Sequence, residues 1–248
     1  MTPFPHEFED LLSAEGRAVL SGQHPLAGVL TRDKFVAMPN LLDERQLPAL
    51  AVTLSETFSE ILEETARKLP RANSTKKANE ESLPKVGRQL SIPTMGPMTP
   101  LARFHATEIG LMQMCFSASY RRFAEVLAGE PLTSLHTAQV FANRPGDYVG
   151  PHTDHHPDEP AVANGYVDMH LTFCTPGVRQ QFIVYERDGH LAAMAPIAAS
   201  GTVTAYRLPL WHYTTPMQAE TEVDRRWLVL GSFAYASAAA AVGEPKRE

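Results

Sequence analysis

The feature that most constrains the fold is a change of hydrophobic period near residue 130. Before it, apolar side chains recur at helical spacing. After it they alternate, as in His136-Thr-Ala-Gln-Val-Phe-Ala, Tyr166-Val-Asp-Met-His-Leu-Thr-Phe and Arg179-Gln-Gln-Phe-Ile-Val-Tyr. A chain patterned in this way packs helices against a sheet rather than interleaving the two. The pattern predicts helices over 7 to 20, over 44 to 69, where Leu50, Leu54, Phe58, Ile61 and Leu62 form one stripe, and over 99 to 127, through Ile109, Met112, Phe116, Tyr120 and Phe123. A short strand is expected over 33 to 42. Turn residues at Pro145-Gly146-Asp147, Asn164-Gly165, Pro176-Gly177, Asp188-Gly189 and Ser200-Gly201 divide the second half into about seven or eight strands.

The expected architecture is α+β and mainly β: a closed barrel or double-stranded β-helix of the jelly-roll or cupin-like kind, with N-terminal helices packed on one sheet. One domain over 1 to 248 is expected, with a helical part to about 130 and a β core over 131 to 236. Residues 70 to 100, rich in proline and poor in periodicity, read as a loop and a candidate lid.

Composition removes several function classes. With 22 Lys and Arg against 28 Asp and Glu, the net charge is -6, which disfavours nucleic acid or an anionic membrane as a general partner. Two cysteines, Cys115 and Cys174, provide neither a disulfide framework nor a cysteine-rich zinc site, and the N-terminus lacks a signal-peptide pattern. A cytoplasmic setting is the expectation.

The chemistry concentrates around Pro151-His152-Thr-Asp154-His155-His156. In an extended segment His152 and Asp154 project to the same side and can offer an imidazole nitrogen and a carboxylate oxygen to one point. His212, in Leu210-Trp-His-Tyr-Thr, lies far enough downstream to return beside them. Two imidazoles and one carboxylate leave three positions of an octahedron open, the arrangement that suits non-haem Fe(II), whereas a structural zinc site closes its shell with protein ligands. Farther on, Asp224-Arg225-Arg226-Trp-Leu-Val-Leu is a strand pattern that begins with cations, and a guanidinium there can bind a carboxylate through two hydrogen bonds.

Taken in order, Asn143-Arg-Pro-Gly-Asp-Tyr-Val-Gly-Pro-His152-Thr-Asp154, His212 and Arg226-Trp-Leu-Val-Leu resemble the Fe(II)/2-oxoglutarate-dependent oxygenases, over about residues 33 to 235. The resemblance implies iron on His152, Asp154 and His212, the distal carboxylate of the cosubstrate 2-oxoglutarate on Arg226 with Arg225 as a lesser candidate, and dioxygen consumed with release of succinate and carbon dioxide. Two departures stand out. Many members carry a serine two positions after the arginine where this chain has Leu228, and the interval from His212 to Arg226 is longer than in many members. Retention of Asp154 favours hydroxylation over halogenation. The implied substrate is a small polar metabolite such as an amino acid or natural-product intermediate. A cupin-like metal-dependent dioxygenase or isomerase that does not use 2-oxoglutarate is the alternative, and a non-catalytic metal-binding barrel is a third reading. His155 and His156 read as polar loop, and His170 as a satisfied histidine.

Overall fold

The computed structural model describes residues 3–68, 90–93, 100–154, 162 and 165–236. Among these, six α-helices are α1 (Ala14–Leu20), α2 (Val29–Asp33), α3 (Leu47–Lys68), α4 (Pro100–Glu108), α5 (Leu111–Phe116) and α6 (Ala118–Ala128). The strands are β1 (Phe35–Met38), β2 (Leu90–Pro93), β3 (Leu132–Asn143), β4 (Tyr166–Cys174), β5 (Val178–Gln180), β6 (Phe182–Arg187), β7 (His190–Pro196), β8 (Val203–Leu208), β9 (His212–Thr214), β10 (Gln218–Ala219) and β11 (Arg226–Tyr235). The major sheet has the order β1-β8-β4-β11-β3-β2, and a minor sheet has the order β7-β6-β9. Both are antiparallel, and among the described residues they do not close into a barrel.

Strand alternation sorts the major sheet into two faces of different chemistry. On β4 the odd positions Val167, Met169, Leu171 and Phe173 join Trp227, Val229 and Phe233 of β11 in the core shared with the helices. The packing is close. Trp227 Nε1 donates to Ser55 Oγ of α3 at 2.9 Å, Phe8 meets the rings of Tyr120 and Phe123 at 5.1 and 5.3 Å, and Tyr120 lies where a Cβ on Gly231 would stand, 2.6 Å from its ring. The even positions Tyr166, Asp168, His170, Thr172 and Cys174 take the opposite face, in register with Ala234, Ser232, Leu230, Leu228 and Arg226 of β11. That face turns toward the minor sheet. Phe35, Tyr166, Tyr206, Leu208 and Ala234 pack there with Ile183, Ile197 and Leu210, and Phe35 stacks on Tyr185 at 3.8 Å.

Several expectations require correction. The helix expected over 99 to 127 is three helices, because Gly110 takes a left-handed φ of 78° with no room for a side chain against the Phe4 carbonyl, and Ser117 caps α6 by accepting from Tyr120 N. Phe116, placed on the buried stripe, is exposed. The segment over 7 to 20 divides likewise, into a 3₁₀ turn (Phe8–Leu11) and α1, with Ser13 as the cap between them. The strand expected over 33 to 42 is only the four residues of β1. The loop expected over 70 to 100 contains β2, paired with β3 from Leu90↔Ala142 to Pro93↔Gln139; the rest of the candidate lid lies outside the described residues. Strand β7, rich in alanine and weak in strand propensity, follows β6 through Asp188-Gly189, whose φ values of 54° and 80° make a tight hairpin turn.

Candidate metal centre

His152 and His212 form an isolated antiparallel bridge in which each backbone N–H donates to the other residue's carbonyl at 3.0 Å. The segment around His152 thereby extends the minor sheet beyond β9, and Val149 and Thr214 continue the pairing at 2.9 Å. Cross-strand pairing puts the two imidazoles on the same face, with ring centroids 4.1 Å apart. Upstream, the turn at Pro145-Gly146 is closed by Asp147, whose carboxylate accepts from Arg144 N at 2.9 Å and Arg144 Nε at 3.1 Å.

Each ring is held by a carbonyl two residues earlier: His152 Nδ1 lies 2.6 Å from Gly150 O, and His212 Nδ1 lies 2.8 Å from Leu210 O. A carbonyl only accepts, so each Nδ1 carries a proton, and Nε2 is the atom each ring has left to offer a metal. Both Nε2 atoms point at Asp154, which lies 3.0 Å from the first and 3.9 Å from the second through Oδ2. The three donor atoms all lie within 4.8 Å of one another, and both histidines are buried. Three ligand-type atoms facing one another, the two imidazoles each oriented by a backbone carbonyl, are what a divalent cation completes. The donor set fits Fe(II) and leaves room for exogenous ligands.

Asp154 reaches this position by another route than the extended geometry read from the sequence. Its φ is 54°, in the left-handed region that aspartate tolerates better than most residues, and Tyr166 Oη holds its carbonyl at 2.9 Å. The chain therefore turns at Asp154, and that turn brings the carboxylate back to His152. His155 and His156 lie outside the described residues.

Arg226, at the start of β11, is buried on the same inner face. Its Nε donates to Ile197 O at 2.8 Å and its Nη1 to Gln181 Oε1 at 3.0 Å. Both acceptors are neutral, and among the described residues no carboxylate lies within ion-pair distance of it. Burial pushes the guanidinium down to about 10, so it is still cationic at neutral pH. A buried cation without an anion fits the carboxylate of a cosubstrate. Arg225, by contrast, turns to the loop and donates to the Glu222 and Asp224 carbonyls at 2.6 and 2.8 Å.

Two residues tie the parts together that sequence reasoning left out. Gln181 accepts from Arg226 and donates through Nε2 to Thr215 O at 3.0 Å, just past β9. Tyr206 has its ring 4.9 Å from that of His212 and its hydroxyl 2.8 Å from His170 Nε2. Burial holds its phenol well above 10, with Asp168 and Asp154 adding to the effect and Arg226 opposing it, so Tyr206 lies within the fields of both the triad and the arginine. His170 is a partnered histidine, as read. The sequence signal for Tyr206 was only its place on a strand.

No family model matches the sequence, and no curated protein matches it significantly. Solved structures do. The chain is similar to the non-heme alpha ketoglutarate dependent epimerase SnoN from nogalamycin biosynthesis at 15% identity, with 89% of this chain and 82% of that chain covered and a TM-score of 0.55. It has the fold of the Fe(II)/2-oxoglutarate oxygenases, the double-stranded β-helix. The carbocyclase SnoK from the same biosynthesis gives 13% identity, 98% and 95% coverage and a TM-score of 0.54. AviO1 from Streptomyces viridochromogenes Tue57 gives 12%, 91% and 97%, and 0.51. At these identities the likeness is one of fold, and the double-stranded β-helix accounts for a polar inner face between two sheets.

Proposed function

We propose that this chain is a single-domain, non-haem Fe(II)- and 2-oxoglutarate-dependent dioxygenase that hydroxylates a C–H bond of a small polar molecule, an amino acid or a natural-product intermediate. The observation that carries the reading is the pair of Nδ1 to carbonyl contacts that leaves both imidazole Nε2 atoms facing the Asp154 carboxylate. When bound, the iron and 2-oxoglutarate supply the oxidising chemistry, with dioxygen consumed and the cosubstrate released as succinate and carbon dioxide.

The chain's own residues bind and orient. His152, Asp154 and His212 are the proposed iron ligands. Arg226 holds the distal carboxylate, and Gln181 fixes the arginine's pose through Nη1. Tyr206, packed beside His212, excludes water from that side and keeps its proton on Oη at working pH. The inner face carries Asp168, His170, Thr204 and Ser232 in neighbouring register positions, which supports a polar substrate. No helix of the described residues is long and apolar enough to cross a membrane, and a cytoplasmic setting belongs to the same proposal.

Since an epimerase and a carbocyclase share this fold, the outcome of oxidation is set by how a substrate lies against the inner face. The test is aerobic incubation with Fe(II), 2-oxoglutarate and a panel of amino acids, with succinate as the readout. Succinate that requires both iron and the protein supports the reading. Iron bound without succinate or 2-oxoglutarate consumption moves it to the cupin-like alternative, in which Arg226 has no cosubstrate to hold.

A further inference from the structure

Exposure divides the inner face. On β4 and β11 the residues Asp168, Thr172, Leu228, Leu230 and Ser232 are buried, whereas Thr137, Gln139 and Phe141 of β3 and His170 of β4 are half-buried. The register places them side by side. Phe141 and Thr172 flank Leu228, and Gln139 and His170 flank Leu230, so the face is open over β3. The rings of Phe141 and His170 lie 6.3 Å apart and within 19° of parallel. His170 is linked to the metal centre through Tyr206, whose hydroxyl it meets at 2.8 Å and whose ring lies 4.9 Å from that of His212. Gln139 makes no side-chain hydrogen bond among the described residues. It stands four residues along β3 from Asn143, the position opposite Arg226, which is roughly 13 Å at the rise of a strand and longer than the carbon chain of 2-oxoglutarate. The open part of the face thus lies beyond the cosubstrate's anchor. Among the described residues, the one lysine or arginine at the inner-face positions of β3, β4, β8 and β11 is Arg226, assigned above to the cosubstrate, so a free carboxylate on a substrate would enter with no such cation to meet it.

We propose that Gln139, Phe141 and His170 form the substrate-recognising surface, and that the substrate presents a neutral planar amide there, a lactam or carboxamide, rather than the free carboxylate of an amino acid. The inference rests on the function proposed above and narrows its substrate. A glutamine side chain offers a donor and an acceptor in one plane, so it pairs with the matching edge of a lactam or carboxamide through two hydrogen bonds, while the two rings take its flat face. The test is binding, not turnover. Protein loaded with Fe(II) and 2-oxoglutarate under anaerobic conditions is titrated with 2-piperidone and benzamide, and with L-pipecolate and benzoate as their carboxylate counterparts. The readout is the change that a molecule bound beside the metal makes in the visible charge-transfer band. The two amides should shift the band and saturate, and the carboxylates should bind at least about 10-fold more weakly. Gln139→Leu and Gln139→Glu should each weaken the amides about 10-fold through the lost hydrogen bonds. The band formed by iron and 2-oxoglutarate should keep its wild-type affinity in both variants, which shows that they are folded. Carboxylates that bind as tightly as the amides, amides that leave the band unchanged, or a Gln139→Leu protein that binds them like wild type would each overturn the inference and leave the oxygenase reading standing. Failure of iron-loaded wild type itself to bind 2-oxoglutarate overturns both.

Discussion

His152 and His212 are paired to each other twice, backbone to backbone at 3.0 Å in both directions and ring beside ring at 4.1 Å. The two proposed ligands from distant parts of the chain are thus one cross-strand unit, and their spacing is set by the β ladder rather than by loop conformation. Ligands on a ladder are held more rigidly than ligands on loops.

Substituting either histidine or Asp154 by alanine should therefore remove Fe(II) binding without unfolding the protein. The loss should exceed the roughly 10- to 100-fold that removal of a supporting contact costs a metal site. Equilibrium dialysis with iron under anaerobic conditions, alongside circular dichroism, measures both. Tight stoichiometric iron in any one variant would remove that residue from the ligand set.

Arg226 gives a prediction of unusual sign. Its replacement by methionine removes a buried cation that no carboxylate of the described residues neutralises, so the ligand-free protein should be as stable as wild type or more so. The stabilisation that wild type gains from 2-oxoglutarate, about 2.7 kcal/mol at one hundred times Kd, should vanish. Thermal melts with and without 2-oxoglutarate read both effects.

Asp224 links pH to stability. Its carboxylate accepts from Thr221 Oγ1 at 2.7 Å, Thr175 Oγ1 at 2.7 Å, Thr221 N at 2.9 Å and Gly177 N at 3.1 Å, and the hydroxyl bonds are the larger cause holding its pKa below the ordinary 3.8. A depressed folded pKa means the contribution is present above the unfolded value and is lost as pH falls through the folded one. Denaturant midpoints should drop below about pH 4 in wild type, and Asp224→Asn should flatten that part of the profile while costing about 1–3 kcal/mol at neutral pH.

Gly231 is required by a neighbour, not by its own backbone. A Cβ there would stand 2.6 Å from the Tyr120 ring, so Gly231→Ala should destabilise by roughly 1–3 kcal/mol. Trimming the ring with Tyr120→Leu should lessen the effect of Gly231→Ala, and a double-mutant cycle in urea measures the coupling.

The legible parts of the sequence were those written in local pattern. The alternation after residue 130 foretold β4, β8 and β11, which lie in the middle of the major sheet and are buried at most of their positions. His152, Asp154, His212 and Arg226 were legible as residue types in order, and the structure brings one ligand-type atom from each of the first three within 4.8 Å of one another. What escaped depends on partners distant in sequence. The break at Gly110 is set by the Phe4 carbonyl, β2 forms on the edge that β3 offers, and the bend at Asp154 is held from Tyr166. Tyr206 and Gln181 escaped because their types carry no motif, and only the pairing of β8 with β4 and the contacts of Gln181 bring them to the site.

In the proposed function the triad and Arg226 serve one cosubstrate on one metal. The most direct measurement is an anaerobic titration of wild type and Arg226→Met with Fe(II) and then 2-oxoglutarate, followed by visible absorption. Wild type should show a weak charge-transfer band that saturates with one equivalent of iron and is lost in Arg226→Met at the same 2-oxoglutarate concentration, with iron still bound. Iron bound by wild type with no band at any 2-oxoglutarate concentration would contradict it, as would a band of equal affinity in Arg226→Met.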